Sequence, residues 1–219
     1  VPWRVGLDSA HRGIGLTRRV PVEGIVHEVE LYLACARALG IPTEGVRLTF
    51  YPTPAARERV RTLIPSERPL AVIHPAGGQN PGMVLSAKRW PAERFAEIVR
   101  RLVRERSASV MIVGGPGDRE LAGDVQNLAG EPAHVHNLAG ELSFDELGAL
   151  LEHAAVFVGN DTGAMHLATA VGTPTVAIFG PSDPRRYGPY GAGHRAIWNP
   201  PSCAPCLDRG RWNEACRRF

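Results

Sequence analysis

From residue 70 onward the chain repeats one unit: a short uninterrupted apolar run, a glycine-rich turn, then an amphipathic helix. LAVIHP (70–75), ASVMIVGG (108–115), AHVHNLAG (133–140), AVFVGN (155–160) and PTVAIFG (174–180) read as strands. Strands that are apolar on both faces must be buried on both, and the helices between them supply the cover. This predicts an α/β fold, a doubly wound parallel sheet of the Rossmann-like kind. WPAERFAEIVRRLVRER opens a helix with Pro91 in its first turn, and Phe95, Ile98, Val99 and Leu102 form its core stripe. A second helix runs to about Gly130. Ser143 and Glu146 form a capping box for FDELGALLEHA, and GAMHLATAV is a short helix stopped at Gly172.

Residues 1–66 carry a different pattern. WRVGLD (3–8) and GVRLTFYP (45–52) read as strands, GIVHEVELYLACARALG (24–40) and TPAARERVRTLI (53–64) as helices, and PSERP (65–69) as a linker. Two strands and two helices are too few for a second parallel sheet. The expected division is therefore a partial N-terminal α/β segment, residues 1–66, and a complete α/β domain, residues 67–219.

In open α/β sheets ligands bind beyond the carboxyl ends of the strands. The sequences at those ends are HPAGG with Gly77, GGPGD, GNDTG and GPSDP, all glycine-rich and polar. In GNDTGAMH, Asp161 or Thr162 is expected to cap the following helix, and Gly163 allows close approach at its first turn. The free N–H groups and positive dipole end of such a helix suit a diphosphate. His166 lies one turn in, facing back over the helix start. The 25 lysines and arginines include a single lysine, Lys88, in the loop after the first strand of the domain. An ammonium is a compact point charge with three donors, suited to a leaving diphosphate. Because that loop is expected to be exposed, replacing Lys88 should cost turnover more than fold stability.

Other chemistries fit less well. There is no Walker loop for a P-loop ATPase, no G-x-S-x-G elbow for an α/β hydrolase, and GGPGDRE lacks the third glycine of a nicotinamide site. A net charge of +3 without basic–aromatic interleaving or a DNA-binding motif argues against nucleic acid. Cys35 reads as a small buried hydrophobe. Cys203, Cys206 and Cys216 are one ligand short of a zinc quartet and read as a structural tail, so no metal site is expected. No apolar run is long enough to cross a bilayer, and Val1–Ala10 has no signal-peptide pattern.

Together HPAGG…KRWP, VGGPGDRE, NLAGELSFDELGALLEHA, VGNDTGAMHLATAVGTPTVAIFGPSDP and CAPC resemble the ADP-heptose:lipopolysaccharide heptosyltransferases, glycosyltransferase family 9, from about residue 70 to 216. The resemblance implies the C-terminal half of a two-domain GT-B enzyme, with residues 1–66 as the end of its acceptor-side domain. It implies an inverting, metal-independent transfer of heptose, or a related sugar, from an ADP-sugar to a lipopolysaccharide core or other glycan, with no cofactor. By the same resemblance, Lys88 contacts the donor phosphates as the catalytic cation, and Asp161, Thr162, Gly163 and Ala164 cradle the diphosphate beside His166. Glu120 holds the ribose, with Asp118 close by, and Leu142 touches adenine. The family's catalytic aspartate lies near the start of its N-terminal domain and is not in this chain, which implies a donor-binding portion inactive alone. Location is expected to be cytoplasmic, with peripheral association at the inner membrane. The competing readings are a nucleotide-binding GT-B half without transferase activity and another sugar-nucleotide enzyme such as an epimerase.

Overall fold

A computed structural model of the chain describes residues 2–9, 12–64, 67–77, 79–80, 83–84, 86–131 and 133–206. In chain order the strands are β1 (Val5–Asp8), β2 (Arg18–Pro21), β3 (Leu70–His74), β4 (Gln79–Asn80), β5 (Met83–Val84), β6 (Ser109–Ile112), β7 (Val135–Asn137), β8 (Val156–Asn160), β9 (Thr175–Phe179) and β10 (Arg195–Trp198). The helices are α1 (Glu28–Ala38), α2 (Pro54–Arg61), α3 (Ala92–Arg106), α4 (Arg119–Ala129), α5 (Phe144–Glu152), α6 (Gly163–Ala170) and the single turn α7 (Pro184–Tyr187).

Six strands form one sheet in the order β7-β6-β3-β8-β9-β10, every neighbouring pair parallel. Counted from β3, that is the doubly wound order 3-2-1-4-5-6, whose direction of winding reverses between β3 and β8. Alternation along each strand feeds two cores. Leu70, Val72, Met111 and Phe157 join α5 and α6 on one face, while Ala71, Ile73, Val110 and Ile112 join α3 and α4 on the other. α3 buries Phe95, Ala96, Val99 and Val103. The expected Ile98 and Leu102 sit at the margin of that stripe, half-buried.

The N-terminal residues form a two-stranded parallel pair, β1 with β2, beside α1. α2 packs on α5 and sends Ala56 and Val60 into the core of the large sheet. Two bidentate or paired contacts fasten it there: Arg57 to Glu152 at 2.7 Å, and the Thr53 hydroxyl to Asp145 at 2.6 Å.

Several local readings are corrected. GVRLTFYP is not a strand. The Phe50 N–H donates to the Ala170 carbonyl at 3.2 Å, and the Phe50 ring lies over Gly148, where a Cβ would come within 2.6 Å of it. Side-chain packing on α5 thus replaces ladder pairing. Pro91 is the N-cap of α3 rather than a first-turn residue. β10 was not foreseen, because Arg195 and the exposed Ala196 and Ile197 give it no buried face. The β4–β5 hairpin and α7 are too short to carry a period. Cys35 lies half-buried in α1, Cys203 is exposed, and Cys216 lies outside the described residues.

Candidate functional site

At the point where winding reverses, the loops after β3 and β8 diverge to opposite faces and leave a crevice between them. Asn160, the last residue of β8 and fully buried, ties its two sides together. Its amide nitrogen donates to the carbonyls of Pro75 and Ala76, at 2.8 and 3.0 Å, and its oxygen accepts the Trp90 N–H at 3.2 Å. The Gly77 loop and the segment carrying Lys88 are therefore hung from one side chain. Gly77 has φ +144°, and a Cβ on it would stand 2.8 Å from Thr162 Cγ2, so glycine is required on both backbone and packing grounds.

Lys88 closes the crevice. Its ammonium stands 2.6 Å from Asp161 Oδ2, and Ser182, fully buried in the loop after β9, donates its hydroxyl to the same oxygen at 2.5 Å. The Lys88 side chain is 14% exposed and that of Asp161 8%, so the expectation of a solvent-exposed lysine is corrected. Arg89, its neighbour, donates through Nε to the Gly77 carbonyl at 2.8 Å and approaches Asp118 to 4.0 Å. A hollow of about 270 Å³ opens beside Lys88, between Trp90, Phe179, Ile197 and Asn199.

α6 begins here with Thr162 at its N-cap position and no side-chain cap. The expected capping by Asp161 or Thr162 does not occur: the Asp161 carboxylate is committed to Lys88 and Ser182, and Thr162 Oγ1 is buried without a partner among the described residues. The Gly163 and Ala164 N–H groups are left facing the crevice from the positive end of the helix. One turn on, His166 feels Asp161, His27 and Lys88 together. Burial holds its imidazole below the ordinary range, outweighing the attraction of Asp161, so the ring is neutral at pH 7. His27 reaches this neighbourhood from the N-cap of α1. Its Nδ1 accepts from the Val29 N–H, so Nε2 carries the proton and donates to the Gly188 carbonyl at 3.0 Å.

The fold thus brings together Lys88, Asp161, Thr162, Gly163, Ala164 and His166, with Gly77 across from Thr162. Glu120 and Leu142 lie to one side, over β6 and β7. Glu120 is exposed in the first turn of α4 and unpaired among the described residues, while Asp118 turns back to accept the Gly115 N–H at 2.8 Å. Leu142 is half-buried just before α5. Arg119 joins this flank by donating to the carbonyls of Ala139 and Gly140. A larger hollow, about 370 Å³ between Phe50, Tyr51, Thr169 and Tyr190, opens at the opposite end of α6. There the Ala170 carbonyl is already taken by Phe50, and none of the residues that converge on the crevice takes part.

A family model described as glycosyltransferase family 9 (heptosyltransferase) matches residues 1–216. The chain belongs to this family. It is 28% identical over 206 residues to lipopolysaccharide heptosyltransferase 3 of Escherichia coli, covering 89% of this chain and 58% of that one. Among solved structures it resembles E. coli ADP-heptose lps heptosyltransferase II, with a TM-score of 0.73 and 27% identity, covering 90% and 62%. It also resembles E. coli heptosyltransferase WaaC, solved with ADP, with a TM-score of 0.61 and 25% identity, covering 83% and 53%. The chain spans little more than half the length of these relatives. The doubly wound α/β fold expected from the sequence is thus observed in the described residues, and its structural neighbours are heptosyltransferases.

Sequence reasoning passed over four residues in and around this crevice. Asn160 and Ser182 stood inside the GNDTG and GPSDP loops but were given no role of their own, because their partners are distant in the chain. His27 carried no signal beyond its place before Glu28. His74, the last residue of β3, read as part of a buried strand. Burial pushes its imidazole down to about 4, against the pull of Asp118, and its Nδ1 has no partner among the described residues.

Proposed function

We propose that this chain is the nucleotide-sugar-binding part of a glycosyltransferase that moves a heptose, or a related sugar, from an ADP-sugar to a lipopolysaccharide core or other glycan. The observation that carries the reading is the Lys88 ammonium beside the uncapped start of α6, at the reversal point of the sheet. The Gly163 and Ala164 amides and the ammonium offer donors to a diphosphate whose charge grows as the sugar departs. A protein cation meets the leaving group in this reading, and the transfer inverts the anomeric carbon. Glu120 takes the ribose hydroxyls and Leu142 the face of the base, on the β6–β7 side. Residues 1–66 belong to the acceptor side, and the acceptor is met at the cytoplasmic face of the inner membrane. The ADP in the related WaaC structure supports the choice of nucleotide.

Calorimetry with ADP and UDP tests this directly. ADP is expected to bind at least tenfold more tightly, and Lys88→Ala to lose most of that affinity. Equal or stronger binding of UDP would favour the epimerase-like reading. ADP binding by a full-length enzyme that turns over no ADP-heptose would favour a nucleotide-binding half.

A further inference from the structure

Asp161 Oδ2 receives two donors from different loops, the Lys88 ammonium at 2.6 Å and the Ser182 hydroxyl at 2.5 Å. Ser182 is fully buried at the end of the β9 loop, next to Asp183, which is itself fully buried and bonded to Arg185. The serine is therefore anchored, whereas a lone carboxylate rotates freely about its terminal bond. We infer that Ser182 is a positioning residue of the donor site: through Asp161 it fixes where the Lys88 ammonium stands. This rests on the reading above that Lys88 meets the donor diphosphate.

An ammonium has three donors, so Lys88 keeps one on Asp161 while turning the others to a phosphate. When it does, the hydroxyl remains as the carboxylate's partner and Asp161 is not left bare in a buried place. The arrangement also accounts for lysine at this position. A single oxygen already shared with a hydroxyl suits a compact point charge.

The single lysine makes the test specific. Chain grown with [13Cε,15Nζ]-lysine reports on Lys88 alone by NMR. The wild type is expected to give one ammonium signal protected from rapid hydrogen exchange, and ADP to shift it. Ser182→Ala should lose that protection and reduce the ADP-induced shift, and Ser182→Cys, which keeps the volume and weakens the donor, should do the same. Ser182→Thr, which keeps the hydroxyl, should restore both. An unchanged Lys88 signal in Ser182→Ala or Ser182→Cys would overturn the inference. Loss in all three variants would assign the effect to packing and overturn it equally. A wild-type signal that ADP leaves unmoved would instead refute the diphosphate role of Lys88, and the variants alone would then decide whether Ser182 positions it.

Discussion

Lys88 and Asp161 neutralise each other in a place that water barely reaches, so each is costly to leave without the other. Lys88→Ala and Asp161→Ala should each lower stability by about 1–3 kcal/mol, the range for a buried polar group stripped of its partner. The double variant should lose less than the sum of the two, and urea unfolding of all four proteins measures that coupling. His74 sets a second residue-scale expectation. Its folded value of about 4 lies below its ordinary 6.5, so the unfolded chain binds a proton first as pH falls. The stability that the neutral ring contributes is complete above pH 6.5 and is lost progressively down to about pH 4. The full difference is about 3 kcal/mol. His74→Phe should flatten the wild-type decline between those limits when unfolding is followed against pH. At this scale the sequence pointed to Lys88 because it is the only lysine, but not to its burial. Burial depends on Asp161 and Ser182, 73 residues away and beyond, which no local pattern encodes.

Among the elements, α6 starts without a side-chain cap, as α3 and α4 also do, but its start is the one beside Lys88. Ser143 caps α5 and Thr53 caps α2 through their side chains, while Thr162 does not cap α6. Thr162→Asp would supply an acceptor for those amides and a negative charge at the same spot. Tm should rise, by an amount corresponding to about 1 kcal/mol for a good cap, while ADP affinity falls tenfold or more by calorimetry. A variant that gained stability and kept its ADP affinity would remove α6 from the site. The helices and central strands were legible because their apolar spacing matches their period. The segment around Phe50 misled because an apolar run buried by side-chain packing looks like a strand. β10 escaped because an edge strand exposed on both faces carries no such pattern.

The whole molecule joins what the sequence divided. A boundary at residue 66 follows the change of pattern, yet Val60 is fully buried in the core that α5 and α6 share with the sheet. Val60→Ala should therefore weaken the large sheet as a unit, by about 1–3 kcal/mol in a single unfolding transition. Two separated transitions, with only the smaller one moved, would show that α2 folds apart from the sheet. The parallel order and the convergence of loops on one edge were readable from alternation alone, since buried strands linked by helices admit few arrangements. Which loop donates to which carboxylate was not.

The crevice has a cost in time as well as in free energy. Asn160 and the carbonyl of Pro75, which it holds, are 85 residues apart along the chain. β3 has to wait unpaired along one side until β8 has been made and delivered to it, and contacts that close such long loops form slowly. The crevice edge should thus be among the last parts of the molecule to acquire its native shape during refolding. If the crevice holds a nucleotide as proposed, one added at the start would have nothing to bind until the sheet is nearly complete.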